Sequence, residues 1–495
     1  MLLRGKTVKS ESGILLALSS LPSKYGIGSL GIESYNFVDF LKLSRQRYWQ
    51  LLPLVPLGEG NSPYKSASCF AGEILYIDID FLVRDGYLNP DDIKEVDFPQ
   101  NTDYDKVRKF KIPLLKKAAE NFNTRRSDYL RFLKDNEQWL NDYAIFMTAL
   151  EKQNTDSILD LDDGIKYRLP IPLKTFAMEN RKEIRFYKIT QFLFYSQYYA
   201  LKRYANKNGI KLIGDIPFYV SLDSAEVWKE PDNFRLGRDF TPVLVAGVPP
   251  DVFSEDGQLW GNPIYDWEYQ KKNEYLWWQK RLAHCKKMYD VIRIDHFRAF
   301  ASYYTIPYGS KNAKSGTWEK GAGLAFWNTM QKALGKLNVI AEDLGSDDIE
   351  TAQLIEDTQF PNMKVLQFAF SGDMQNPFIP KNYNRNCVCY TGTHDNDTTL
   401  GWYSLATNKE RIMANKIVPY IENAPMPIRM IAAAMNSKAK MVIIPLQDWL
   451  CLDSTARMNT PGVPRGNWEW RYTSDTLTNS LAEKIRKLSK GRNGV

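Results

Sequence analysis

The sequence predicts an α/β protein built as a (β/α)8 barrel, and three observations carry that prediction. Eight short apolar runs are spread along the chain, helix-period segments fall between many of them, and the third, fourth, fifth and seventh runs carry a carboxylate at or near their ends. Strands buried on both faces read as near-continuous apolar runs, as most of these do. Eight strands alternating with helices is the count of such a barrel, whose active site lies at the carboxyl ends of its strands. That is where the acids fall.

The first run is GILLALS at 13–19, followed by the helix-period segment IESYNFVDFLKLSRQ; the second is YWQLLPLV at 48–55. The third, KLIGDIP at 211–217, is preceded by KITQFLFYSQYYALKRYANKNG, where Gly209 marks a helix stop before the strand. VIRIDHF (291–297), NVIAEDLG (338–345), KVLQFAF (364–370), CVCYTGTHD (387–395) and MVIIPLQD (441–448) complete the set. Between the sixth and seventh the chain is too short for a comfortable helix plus loops, which strains the eightfold reading at that one place.

Two connections, 56–210 and 218–290, are far too long for simple loops between a strand and a helix. The first holds a charged, helix-periodic stretch from about 104 to 153, so a mainly helical insertion subdomain is expected over 81–186. The second is rich in Pro, Gly, Asp and aromatics, and 218–288 is expected to be an insertion that shapes a cleft. Neither an internal repeat nor a low-complexity linker interrupts the chain. Residues 1–495 therefore read as one catalytic barrel with insertions.

Composition excludes several classes of function. With 44% apolar and 25% charged residues the chain reads as an ordinary globular protein, and no run of about 18 uncharged apolar residues is present to span a membrane. The start, MLLRGKTVKSESGILLALSS, lacks the apolar core and cleavage site of a secretory signal, so a cytoplasmic location is expected and membrane association is not. Cys69, Cys285, Cys387, Cys389 and Cys451 are odd in number, scattered and without a C-x-x-C pair, which fits reduced thiols and argues against a disulfide frame or zinc site. Three histidines leave little for a His-based metal centre. The net charge of +7 would permit nucleic-acid binding, yet acids nearly match bases, 58 to 65. The densest basic stretches, from Arg108 and in the tail KIRKLSKGR, read as solvated helix faces and not as a polyanion site.

The strand-end acids are Asp215, Asp295, Glu342 and Asp395. Packing alone does not favour so many buried acids, and their shared place suggests convergence on one site. In the absence of a His-Cys cluster or a G-x-x-x-x-G-K-S/T phosphate loop, carboxylic acids are the available reagents, and their best-known joint use is at a glycosidic bond. One carboxyl protonates the departing oxygen while the other attacks the anomeric carbon, and a spacing of about 5 Å gives retention through a covalent glycosyl-enzyme. Asp295 and Glu342 end consecutive strands, so they can face each other across a small gap. Arg293, two residues before Asp295 on the same strand face, would hold that carboxylate ionised and oriented, which marks Asp295 as the nucleophile. A neighbouring ionised aspartate would raise the pKa of Glu342, as an acid catalyst requires. Asp395, beside His394, is placed to hold sugar hydroxyls. The alternative for any one of these acids is a strand-end residue bonded to loop amides.

Sugar rings stack on aromatic faces while polar groups bond their hydroxyls. VPPDVFSEDGQLWGNPIYDW (248–267) offers Phe253, Trp260, Tyr265 and Trp267 among Asp251, Gln258 and Asn262, a mixture more like a clamp than a core. A competing motif, GIGSLG at 26–31, satisfies G-x-G-x-x-G, but LPSKY separates it from the strand and no acid closes the second run. Backbone turns at the barrel rim explain it better than a dinucleotide.

Taken together, SGILLALSSLPSKYGIGSLG, NSPYKSASCFAG, GDIPFYVSLDSAEVW, AGVPPDVFSEDGQLWGNPIYDW, RIDHFRAF, VIAEDLG, TGTHDND and LQDWLCLDSTARMNTPGVPRGNWEWR resemble, in order, the 4-α-glucanotransferases (amylomaltases or disproportionating enzymes) of the α-amylase clan. The resemblance implies a (β/α)8 barrel with inserted subdomains and no C-terminal β-sandwich, acting on α-1,4-glucans and maltooligosaccharides with no cofactor and no metal. It matches the family's nucleophile to Asp295, its acid/base to Glu342 and its third carboxylate to Asp395. Arg293 and His394 match accompanying site residues, and Tyr64, Asp251, Trp260 and Phe368 match positions expected to contact glucan; Asp215 and Phe253 are also expected at the substrate. The chain departs from the family pattern at Glu59, Lys65 and Ala299, where tyrosine, glutamine and glycine are usual, which removes an aromatic from a secondary stacking surface. An α-glucan hydrolase with the same carboxylates, or a silent glucan-binding protein, stays open at this point.

Overall fold

The computed structural model describes residues 10–250, 254–345 and 348–493. Its strands in chain order are β1 (Glu11–Leu15), β2 (Tyr48–Gln50), β3 (Lys211–Pro217), β4 (Leu244–Val248), β5 (Gln258–Pro263), β6 (Val291–Asp295), β7 (Ser302–Pro307), β8 (Thr317–Lys320), β9 (Val339–Ala341), β10 (Asn362–Val365), β11 (Cys387–Tyr390) and β12 (Met441–Pro445). Eight of them, β1, β2, β3, β6, β9, β10, β11 and β12, close a barrel in that order with parallel neighbours throughout. Each overlaps one of the eight apolar runs. β3 spans its run in full, and the other seven hydrogen-bonded segments are shorter than their runs.

The sixth run is the clearest correction. Only its first two residues belong to β10, while Leu366–Phe370 forms a 3-10 turn. No α-helix joins β10 to β11 among the described residues, as the short gap foreshadowed. Leu366, Ala369 and Phe370 pack instead with Ala414, Val418, Met426 and Met430, which come from the longer β11–β12 connection and its helices Asn408–Ile417 and Met426–Met435. Apolar side chains supplied by the next connection thus bury the surface that a missing helix would have left exposed.

Between β2 and β3 the chain forms a set of helices, among them Tyr104–Asn121, Ser127–Asp135, Glu137–Gln153 and Arg181–Lys207. The last ends two residues before Gly209, at the stop read from the sequence. Phe192 on this helix meets Phe122, Tyr129 and Phe132 at 5.4–5.6 Å in edge-on contacts, so aromatic packing ties the helices together. Lys111 is fully buried, and its ammonium donates to the Leu75 and Ile77 carbonyls at 2.5 and 2.7 Å. Burial lowers its pKa to about 8. The contact fixes the helical layer to the segment that follows β2.

A second sheet was not anticipated. β5, β4, β7 and β8 form a four-stranded antiparallel sheet in that order, the first two from the connection after β3 and the last two from the connection after β6. SYYTIP and TWEK are short enough to pass for loop, and part of the supposed 248–267 loop is strand β5. Following β12, the described residues contain helices and turns but no further strand. Among the described residues, no helix is long and apolar enough to cross a membrane.

The glycine motif is explained by contact. A Cβ on Gly28 would lie 2.0 Å from the Leu18 carbonyl oxygen, and the Gly28 amide donates to Ser19 O at 3.0 Å. This is a close backbone approach within the chain and leaves no cradle for a phosphate.

Candidate active site

Strand register assembles the acids. Asp215 on β3 is the register partner of Arg293 on β6, and Ile294 on β6 is the partner of Ala341 on β9. The next residues are Asp295, which ends β6, and Glu342, which immediately follows β9. The Glu342 amide donates to Ile294 O at 3.2 Å, and the Phe297 amide donates to Glu342 O at 3.0 Å. In-register residues on parallel neighbours point to the same face, with strands about 4.8 Å apart. The two carboxyl groups therefore leave the barrel side by side at one level.

Beneath them lies a buried ionic layer. A single Arg293 nitrogen, Nη1, donates to both Asp215 oxygens at 2.6 Å and to Asp295 Oδ1 at 3.2 Å, while Nε lies 3.3 Å from Met363 Sδ. Burial opposes the charge of Arg293, and the Asp215 and Asp295 carboxylates more than offset that, holding it well above the ordinary guanidinium value. The side chain of Asp215 has no exposed surface. Expected as a sugar contact, it is instead a support: its oxygens are taken up by Arg293 and by the Tyr64 hydroxyl, which donates at 3.0 Å. The strand layer that carries Asp215 is one step below the one that opens to solvent.

Tyr64 and His394 form the next wall. Their rings stack at 5.2 Å and 8°, and the tyrosine oxygen lies 2.8 Å from His394 Nε2. Burial lowers the pKa of His394, so the ring is neutral and donates from Nε2 while the tyrosine donates onward to Asp215. Asp395 stands 3.3 Å from the same nitrogen, accepts from Asn459 Nδ2 at 2.6 Å, and keeps 40% of its side chain exposed. Arg457 donates to its backbone carbonyl at 2.8 Å.

The environments of Asp295 and Glu342 differ in the sense that acid/base chemistry requires. Asp295 retains 29% side-chain exposure and a cationic partner. Burial still raises it to about 6: Arg293 pulls it down, as foreseen, but the Asp215 and Asp395 charges add to burial. Glu342 is raised further, to about 8, first by burial and then by the Asp295 charge. Its oxygens accept from the His296 amide at 2.6 Å and the Leu344 amide at 3.1 Å. His296 reaches that position by adopting a left-handed backbone, φ 55° and ψ 44°, immediately after the strand. Such a conformation is uncommon for a residue with a side chain, and here it aims an amide at a carboxyl group.

A pH profile follows from this order. With Asp295 raised to about 6 and Glu342 to about 8, a nucleophile and acid in these two places would be charged and protonated respectively near neutral pH. Activity is expected to fall as pH drops through about 6, where Asp295 protonates, and to fall again as pH rises through about 8, where Glu342 ionises. Initial rates from pH 4.5 to 9.5 check it; a flat alkaline limb would contradict the acid role of Glu342.

Of the remaining expected residues, Trp260 is half-buried on β5, edge-on to His296 at 4.9 Å. Phe368 is 40% exposed on the turn after β10, its ring 5.5 Å from Phe378. Asp251 and Phe253 lie outside the described residues. Tyr265, read as part of the clamp, is buried, and its hydroxyl donates to Phe218 O at 2.7 Å. Four site residues went unread: His296, whose amide holds Glu342; Asn459 and Arg457, which hold Asp395; and Trp468, whose ring lies 5.8 Å from that of Tyr64. His296 sits in the quoted RIDHF and the others in the quoted C-terminal segment, so position was visible while partnership was not. The two departures Glu59 and Lys65 pair with each other at 2.7 Å on an exposed surface. Such pairs contribute about 0–1 kcal/mol.

Known proteins resemble this chain along nearly all of its length. A family model described as 4-alpha-glucanotransferase matches residues 16–478. The 4-alpha-glucanotransferase of Clostridium butyricum is 42% identical over 481 residues, covering 96% of this chain and 98% of that protein. That of Thermus thermophilus is 40% identical over 500 residues, covering 97% and 98%. Among solved structures, the amylomaltase from Streptococcus agalactiae in complex with acarbose superposes with a TM-score of 0.94 at 37% identity, covering 97% of this chain and 99% of that one.

Proposed function

The chain belongs to the 4-alpha-glucanotransferase family, and from that premise we propose that Asp295 and Glu342 carry out its retaining transfer as nucleophile and acid/base. The enzyme is a retaining transglycosylase that binds α-glucans and passes a glucan segment from a donor to an acceptor. One observation carries the assignment of roles: two carboxyl groups at the same level of adjacent strands, with pKa values separated in the direction that leaves one charged and the other protonated.

Asp295 attacks the anomeric carbon of the donor while Glu342 gives its proton to the departing 4-oxygen, and the shortened glucan leaves. Glu342, now ionised beside a neutralised ester, takes the proton of the acceptor 4-hydroxyl, and that oxygen displaces Asp295 with the α configuration retained. As charge leaves Asp295, its pull on Arg293 weakens while Asp215 keeps the guanidinium in place. Asp395, fixed by Asn459 and half open to solvent, holds sugar hydroxyls as the ring flattens. Tyr64, His394 and Trp260 line the donor site, and Phe368 extends it. The acceptors are glucose and maltooligosaccharides, with no role for nucleic acid or membrane. A cytoplasmic location is supported by the five unpaired cysteines, three of them buried.

Transfer and hydrolysis share these residues, so the acceptor decides between them. Incubation with maltotriose is expected to yield a ladder of longer maltooligosaccharides plus glucose. Shorter products alone would mean hydrolysis, and binding without turnover would mean a silent glucan-binding protein.

A further inference from the structure

Trp318 is not used by the mechanism above, and it is 44% exposed, a large indole left open to solvent. It lies on β8, the edge strand of the inserted sheet, so no further strand covers it. The other face of β8 is held firmly: Glu319 accepts from Arg235 at 2.6 and 2.9 Å and from the Tyr303 hydroxyl at 3.1 Å. Alternation along the strand then turns Trp318 to the opposite side, where Tyr304 meets it edge-on at 5.3 Å. The end of β8 is pinned to the turn that follows Asp295. The Gly321 amide donates to Ala301 O at 2.7 Å, and a Cβ on Gly321 would lie 2.3 Å from Phe300 O, so only glycine permits the approach.

A guanidinium backs the indole. Arg298, three residues beyond Asp295, places its Cζ 4.2 Å from the Trp318 ring centroid. It is oriented by Asp348, whose Oδ2 accepts from Nη2 at 2.9 Å, and Asp348 also caps the helix Ile349–Thr358 that follows the Glu342 loop. Arg298 is close enough to Glu342 for the two charges to interact. One indole face is therefore occupied by a cation, and the assembly is tied to the two connections that follow the nucleophile strand and the acid strand. A ring stiffened in this way presents its free side at little conformational cost.

We propose that the free face of Trp318 is a stacking subsite for the acceptor chain, engaging its second or a later glucose. The proposal rests on the transferase reading. In that reaction the departing and incoming oxygens both sit at Glu342, so the acceptor lies at the acid, and Arg298, which feels the Glu342 charge and touches the indole, joins the two. The indole is reached from Glu342 by way of Arg298, and on that reading the sugar at the acid and the sugar at the ring are different units of the acceptor. Glucose as acceptor gains nothing from Trp318, whereas maltotriose does.

The test is transfer from soluble starch to labelled glucose, maltose or maltotriose by the full-length enzyme and its Trp318→Ala variant. In Trp318→Ala the KM for labelled maltotriose is expected to rise roughly tenfold and that for glucose by less than about twofold, with kcat at saturating acceptor changing far less than KM. Trp318→Phe keeps a smaller ring and is expected to shift the maltotriose KM by an intermediate amount; it carries the test if the alanine variant does not fold. Equal shifts for glucose and maltotriose, or no shift for either, would overturn the proposal. Absence of label transfer by the unmodified enzyme would instead defeat the reading on which it rests.

Discussion

Asp295→Asn is expected to lower transfer by about 10⁴-fold or more while leaving the fold intact, because an amide cannot form the glycosyl ester through which retention proceeds. The substitution is mild structurally. Asp295 loses one 3.2 Å contact with Arg293, which stays bound to Asp215, and the pKa of the removed carboxyl group had been raised by burial and then by its carboxylate neighbours. Circular dichroism and thermal unfolding should match the unmodified enzyme. Glu342→Gln is expected to give a loss of similar kind on maltooligosaccharides, yet the two variants part on a donor whose leaving group needs no proton. With an α-maltosyl fluoride the first half-reaction should return in the Glu342 variant, since fluoride departs unaided, and stay absent in the Asp295 variant. Near-normal turnover by Asp295→Asn, or fluoride rescue of that variant, would end the assignment of the nucleophile.

Asp215→Ala is expected to be the most destabilising single change at the site, by about 3–5 kcal/mol, because it leaves the Arg293 charge buried with only a partial partner. Arg293 is 3% exposed at the side chain and Asp215 0%, so water cannot replace the lost carboxylate. Asp215 also accepts from the Tyr64 hydroxyl, so the variant frees the wall formed by Tyr64 and His394. Activity is expected to drop by about a hundredfold in the protein that does fold, as misplaced supports disturb the reacting geometry. Urea unfolding at neutral pH measures the first effect and maltotriose turnover the second. A variant as stable as its parent would show that Arg293 finds another counter-charge and that the buried pair is not what holds this layer.

Much of this site could be read before any coordinates. The runs ending in Asp215, Asp295, Glu342 and Asp395 are periodic, apolar and bounded by turn residues, and such patterns are local. Arg293 and Asp295 share a strand face because side chains alternate with a period of two, which holds wherever the strand lies in space. The inserted sheet escaped notice because its strands are only four to six residues long, and SYYTIP and TWEK lie within a connection that the barrel count treats as loop. The exposed Trp318 escaped with it, since exposure is a property of the packed molecule. Tyr265 was misread for the converse reason: an aromatic in a Pro/Gly-rich stretch looks available until its burial is known.

The sequence by itself determined the closed parallel barrel and the strand-end positions of its acids, because apolar periodicity and strand-end position are written residue by residue. Only the tertiary structure decided how deeply each acid is buried, that the Asp215 carboxylate is taken up by Arg293 and Tyr64, and which partners hold each group. Those properties depend on desolvation and on charges supplied from distant parts of the chain. Tyr64 reaches Asp215 across 151 positions, and Asn459 reaches Asp395 across 64. A pKa is set by everything within a few ångströms, and folding alone chooses those neighbours.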